Sequence, residues 1–244
     1  MFYCIEDLEL LLLFGEEIDI GICKLYPLKL KEIVKLGYSK YNYYISLILI
    51  DKSILQNENT DLNDIDNFEV IYGLCNYDEQ FKDNYFNMLE LFSKETINLS
   101  DGFFYFGDLK ENRIINKDNF DEIIKIIKRI NFVKEQKKEE DYNPGNEEAR
   151  KFIEEIKKKK ELYAKLNKNS NSVTLYSISS SIAWKSHIGI NSIRELTVYQ
   201  LYDAYYRLGL IDNYDKTMHG IYAGTIDGKK IKLEEIDWSK VIDL

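Results

Sequence analysis

The sequence predicts a mainly α fold with small β elements, an α+β chain in three parts. Apolar residues recur at helical spacing over most of its length, while period-2 alternation is confined to short stretches. Charge marks the parts: residues 1–133 carry a net charge of −10, residues 134–168 one of +2, and residues 169–244 one of −1. Residues 134–168 hold 20 charged side chains in 35 positions. They read as a charged helical connector between a helical N-terminal module with a short strand and hairpin, and a helical C-terminal module.

Ile18, Ile20 and Ile22 alternate with Asp19 and Gly21, the period of a short half-buried strand, and Pro27 ends it. From Leu28 to Leu55 the spacing turns helical. Ile33, Val34, Leu36, Tyr41, Tyr44, Ile45, Ile48 and Leu49 form a broad apolar face, with Gly37 as a point of interruption. The Asn- and Asp-rich stretch 57–66 is a polar loop. Helices follow over 65–75 and 78–95. Phe103–Phe106, a Gly107-Asp108 break and Ile114-Ile115 then predict a hairpin. Asp118 or Asn119 caps the next helix, where Phe120, Ile123, Ile124, Ile127 and Ile130 repeat at i, i+3, i+4, i+7 and i+10.

In the connector, Asn143-Pro144 supplies a cap and a first-turn proline. Ala149, Phe152, Ile153, Ile156 and Tyr163 then form a narrow apolar stripe, so that helix packs one side and shows charge elsewhere. The run Lys157 to Lys160, with Glu154, Glu155 and Glu161 close by, reads as a solvated face rather than an anion site. The C-terminal module holds the clearest local signal. Thr197 and Gln200 form a capping box, with Leu196 and Leu201 as the hydrophobic staple. That helix is expected to end near Gly209. A second runs from about 213 to 223, with Gly224 as its left-handed stop. Asp227-Gly228 then turns between Thr225-Ile226 and Lys230–Lys232.

Composition narrows function by exclusion. Apolar types at 45%, charged types at 31%, two prolines and twelve glycines describe a globular chain, not a collagen-like or linker-dominated one. The net charge of −9 argues against binding nucleic acid, whose phosphates are held by cations. Cys4, Cys23 and Cys75 lie far apart, an odd count with no CxxC pair, as in a reducing compartment. The apolar runs Leu10–Phe14 and Ile45–Ile50 are far shorter than the ~18 residues of a membrane span. The N-terminus lacks the basic start and cleavage site of a signal peptide. No membrane partner and a cytoplasmic location are expected.

Chemistry-bearing patterns are few. The phosphate-loop, dinucleotide, zinc-protease, calcium-loop and serine-elbow motifs have no match. His187 and His219 each have the chemistry of a general base, but neither stands beside an obvious nucleophile, and a structural histidine is the simpler reading. Ser177, Ser179, Ser180 and Ser181 read as packing or capping residues, and Asp64/Asp66 and Glu235/Asp237 as solvated acids. No residue is put forward as catalytic, cofactor-binding or metal-ligating. Tyrosine is abundant, 19 against 12 Phe and 2 Trp. In the densest group, Tyr202 and Tyr205 are expected in the core and Tyr199 and Tyr206 at its edge; the competing reading is a protein-binding surface.

The C-terminal module carries Ala183-Trp184-Lys185, then Leu196 to Asp203 (LTVYQLYD), Arg207-Leu208, Ala223-Gly224 and Asp237-Trp238. In these words it resembles a group of Firmicutes phage and prophage proteins of the tail-assembly-chaperone type, encoded close to the tape-measure gene. YPLKLKEIVKLGYSKYNYYISLIL and YNPGNEEARKFIEEIKKKKE are similar too, so the resemblance covers about half of the chain. It departs at Lys29, where the group has Thr before the first helix, and over Asp227–Lys232, where a short acidic end is expected. The resemblance implies a non-enzymatic morphogenesis factor without cofactor, in the host cell cytoplasm, that binds the tape measure or tail tube. A structural virion component (neck, baseplate or tail-completion protein) is the alternative, and an enzyme acting on cell wall or nucleic acid a more distant one.

Overall fold

The computed structural model describes residues 3–52, 65–133 and 173–242. The connector readings at Asn143-Pro144, the apolar stripe and Lys157–Lys160 lie outside them, as does most of the 57–66 loop. The fold is mainly α with small β elements.

Helix α1 (Ile5–Phe14) ends at Gly15, whose φ of 71° is the left-handed stop that glycine adopts without strain. The expected strand is a two-rung antiparallel hairpin, β1 (Ile18–Asp19) against β2 (Lys24–Leu25), with Ile18 facing Leu25. The turn forms because the Asp19 carboxylate accepts a bond from Gly21 N at 2.8 Å, while Ile18, Ile20 and Leu25 go into the core. The long helical stretch divides at Gly37 (φ 93°) into α2 (Leu30–Leu36) and α3 (Tyr38–Ile48). The break leaves Val34 and Leu49 exposed, although both belong to the apolar face read from the sequence.

Helices α4 (Asn67–Tyr77) and α5 (Glu79–Ser93) start at acidic caps. Asp66 accepts from Glu69 N at 2.8 Å, and Asp78 accepts from Gln80 N at 2.8 Å. A third strand precedes the expected hairpin. β3 (Ile97–Ser100), β4 (Phe103–Phe106) and β5 (Ile114–Ile115) form an antiparallel sheet in that order, with Phe104 opposite Leu99 and Ile115. Alternation sends Phe104 and Phe106 inward. Asn119 precedes α6 (Phe120–Ile130), but its side chain serves the incoming loop, accepting from Asn116 N at 2.9 Å and donating to Ile114 O at 2.8 Å. The five apolar residues read from the repeat are all buried.

The C-terminal part contributes α7 (Leu175–Lys185), α8 (Ile190–Ile193), α9 (Val198–Tyr222) and α10 (Leu233–Ile236). The break expected at Gly209 does not occur. α9 is a single helix of 25 residues, and Gly209 lies on its surface with open space where a side chain would stand. An interior glycine costs about 1 kcal/mol against alanine, too little to end a helix anchored at both ends. Gly224 provides the stop, at φ 71°. The turn expected at Asp227-Gly228 closes no hairpin. The Asp227 carboxylate accepts from Lys229 N at 3.1 Å and starts a 3₁₀ turn, Gly228–Lys230.

Buried side chains from both sides of residues 134–172 join in one core. Leu12 of α1, Met88 and Phe92 of α5, Ile127 of α6, Ile178 and Ile182 of α7 and Leu201 of α9 all belong to it. Tyrosines enter as well. Tyr41 donates to Asn131 Oδ1 at 2.9 Å, and burial pushes the phenols of Tyr41, Tyr85, Tyr199 and Tyr202 up. The folded chain therefore keeps these protons at a pH where the unfolded chain, titrating near pH ~10, has released them. Their contribution to stability is complete below about pH 10 and is lost as pH rises through the folded values. Melting temperature should fall steeply above about pH 10, with unfolding and release of the buried tyrosinates in one step. Ionisation of every tyrosine while circular dichroism stays native would contradict this.

Candidate functional site

The C-terminal resemblance words come together around α9, and the sequence explains how that helix is held. Thr197 is its N-cap: Thr197 N donates to Gln200 Oε1 at 2.8 Å, and Gln200 N donates back to Thr197 Oγ1 at 3.2 Å. Thr197 also pairs across an antiparallel bridge with Lys29, the residue before α2. Leu30 N donates to Leu196 O at 2.9 Å, Lys31 N to Arg194 O at 3.0 Å, and Val198 N to Leu28 O at 3.3 Å. First-turn amides of both helices thus find carbonyl partners in each other's lead-in segment. At Lys29 the backbone does what a threonine side chain would do elsewhere, while Lys29 N donates to Glu32 Oε2 at 2.8 Å.

The C-terminus of α1 closes the same corner. Gln200 Nε2 donates to Leu13 O at 2.9 Å, and a Cβ on Gly15 would stand 3.2 Å from Thr197 Cγ2. One turn back, Glu9 binds Arg129 of α6 through Nε at 2.6 Å and a terminal nitrogen at 2.5 Å, and accepts from the Tyr199 hydroxyl. Phe132, just past α6, carries the junction's apolar contacts. It stacks on Tyr202 and Tyr206 at 5.4 and 5.5 Å and meets Tyr199 edge-on at 5.3 Å. Tyr199 is therefore buried rather than at the edge of the core, and Tyr202, Tyr205 and Tyr206 are half-buried around it. Burial, partly offset by Arg207, also raises the Asp203 carboxyl above its usual range.

Beside this junction, and sharing Tyr206 with it, lies an open groove of about 580 Å³, walled by α7, α9 and residues 240–242. Ile182, Tyr205, Leu208 and Ile242 give it an apolar lining, and Lys185 of α7 pairs with Asp212 of α9 at its rim. Arg207 fixes the third wall. Its guanidinium donates to Trp238 O at 2.5 Å and Lys240 O at 2.8 Å, with Asp203 at 3.8 Å behind it. The words Asp203, Arg207 and Trp238, scattered in sequence, are one clamp in space. Ala183 packs inward, Lys185 reaches Asp212, and Trp184 between them is 81% exposed. Tyr176, 82% exposed, stands on the same outer face two turns earlier.

The other chemistry-bearing residues do not converge here. His187 is exposed in a left-handed conformation (φ 57°) after α7, and His219 is exposed near the end of α9. Ser177 completes the cap of Thr174, and Ser179 donates to Leu175 O at 2.7 Å. Asp66 caps α4, and Asp237 accepts from Ser239 N at 2.8 Å. Cys23 and Cys75 are buried thiols, each pushed up to about 12 by burial, and Cys4 is exposed. Among the described residues, no helix is long and apolar enough to cross a membrane.

A family model described as the YomV second domain matches residues 165–243, which include all four C-terminal helices and every wall of the groove. Across 238 residues, 93% of this chain and 83% of the other, the chain is 28% identical to the SPbeta prophage-derived uncharacterized protein YomV of Bacillus subtilis (strain 168). No solved structure matches. Over nearly its whole length, then, this chain is similar to a prophage-derived protein, and its groove-bearing third to the second-domain family that shares that protein's name.

Proposed function

We propose that the protein is a non-enzymatic factor of phage or prophage tail morphogenesis that binds tail proteins, the tape measure or the tube, in the host cell cytoplasm during assembly. The observation that carries this reading is the open apolar groove between α7 and α9, held in shape by Arg207. An amphipathic helix, such as the apolar face of a tape measure before the tube encloses it, fits a groove of that character. The prophage origin of the relative supports the setting. The net charge of −9 keeps a protein with an adhesive surface soluble.

The test is a tagged pull-down from an induced lysate, with proteomics on density-purified particles. Tape-measure or tube protein should be enriched with the full chain and absent with Leu208→Lys, which places a charge in the groove; the loss should be about tenfold or more. The protein itself should be missing from particles. Stoichiometric presence there would replace this reading with the virion-component one, and undiminished capture by Leu208→Lys would remove the groove from it.

A further inference from the structure

Two exposed apolar faces outside the groove have opposite electrostatic character. Residues 1–23 contain six carboxylates and no Lys, Arg or His. Within them α1 turns Leu10, Leu13 and Phe14 to solvent, at 53%, 44% and 69% exposure, between exposed Glu6, Asp7 and Glu16. Residues 162–194 contain no Asp or Glu, although acids outnumber bases in the whole chain. The outer face of α7 there shows Tyr176 and Trp184. Ile188 and Ile190 follow, 39% and 59% exposed, beside exposed Lys185, His187 and Arg194. Scattered exposed apolar residues need no explanation, but two such faces, one rimmed by acids and one whose neighbouring acids Asp212 and Glu195 are held in ion pairs with lysines, are complementary in both chemistries.

We propose that the protein binds a second copy of itself, the acid-rimmed apolar face of α1 on one copy seating on the aromatic face of α7 on the other. Each contact joins unlike surfaces, so two copies close into a dimer or more copies into a ring, according to the rotation between them. Three or four apolar side chains on each face place the contact at the small end of protein interfaces, below about 1,200 Å². Affinity in the range of about 1–100 µM is expected. The aromatic pair on α7 is the anchor, since tyrosine and tryptophan dominate such contacts.

Sedimentation of the full chain should show a mass of 28.9 kDa at low concentration, rising as concentration increases. Salt at about 0.5 M, which screens the charges, should weaken the rise. Trp184→Glu or Phe14→Lys alone should raise the dissociation constant about tenfold or more, because each puts like charge against like. The double variant should recover part of that loss, because the new Lys and Glu then face each other between copies. If Trp184→Glu loses its native circular dichroism, Tyr176→Glu reads the same face. A monomer at every concentration, single variants that associate like the parent, or a double variant no better than the singles would each overturn the proposal. Phe14 lies outside the groove, so Phe14→Lys should still capture tail protein, which separates failure of self-association from failure of the proposed function.

Discussion

Replacing Phe104 with alanine is expected to lower the unfolding free energy by ~3–5 kcal/mol, the largest loss of any single truncation in the N-terminal part. Phe104 is wholly buried on the central strand of the three-stranded sheet. Its ring meets Phe86 edge-on at 5.2 Å, Phe68 edge-on at 5.3 Å and Tyr72 tilted at 5.9 Å, so it joins α4 and α5 to β4. Phe68 continues the contact to Phe120 of α6 at 5.5 Å. Alanine loses the burial and the edge-to-face geometry together, and strand, cap and helix backbones hold the surrounding rings where they cannot collapse into the space. Against a typical stability of about 5–15 kcal/mol, the loss should be plain in urea unfolding as a lower midpoint at unchanged slope. A change below ~1 kcal/mol would show that the rings repack.

Phe132→Ala should cost a similar amount, about 3 kcal/mol, but with a different distribution. Phe132 is held at φ 55°, outside helix and strand, by its three tyrosine partners on α9. Loss of the ring leaves Glu9, Arg129 and Tyr199 as the polar part of a junction stripped of its apolar centre. Hydrogen exchange should therefore speed up more in α7 and α9 than in β3–β5, whereas Phe104→Ala should show the reverse. Equal acceleration throughout would mean that the junction is no weaker than the rest of the core.

Where local chemistry decides, the sequence is legible. The Thr197–Gln200 box, the isoleucine repeat of α6, the Gly37 break and the Gly224 stop all act through neighbours a few residues away, and each is found at its place. Gly209 shows the limit: its propensity penalty is real, but α7, α1 and the Arg207-held segment pack along α9 and outweigh it. β3 went unread because four residues of mixed polarity gain strand character only from β4 beside them. The site was half legible. Ala183-Trp184-Lys185, Arg207-Leu208 and Asp237-Trp238 were visible as words, but that Lys185 and Leu208 meet the segment after Trp238 at one groove depends on Arg207 reaching backbone carbonyls 31 and 33 residues away. Phe132 gave no local signal beyond a lone aromatic after a helix, since its partners lie far down the chain.

The bridge between Lys29 and Thr197 sets a schedule for the newborn chain. The amides of Leu30 and Lys31 leave the ribosome early, yet their carbonyl partners at Leu196 and Arg194 are made more than 160 residues later. At about 5–20 residues per second, α2 spends roughly 10–30 s with its first turn turned to water. Until Arg194 and Leu196 emerge, the N-terminal corner waits with those amides unpaired by the chain itself, a span in which molecular chaperones can hold it.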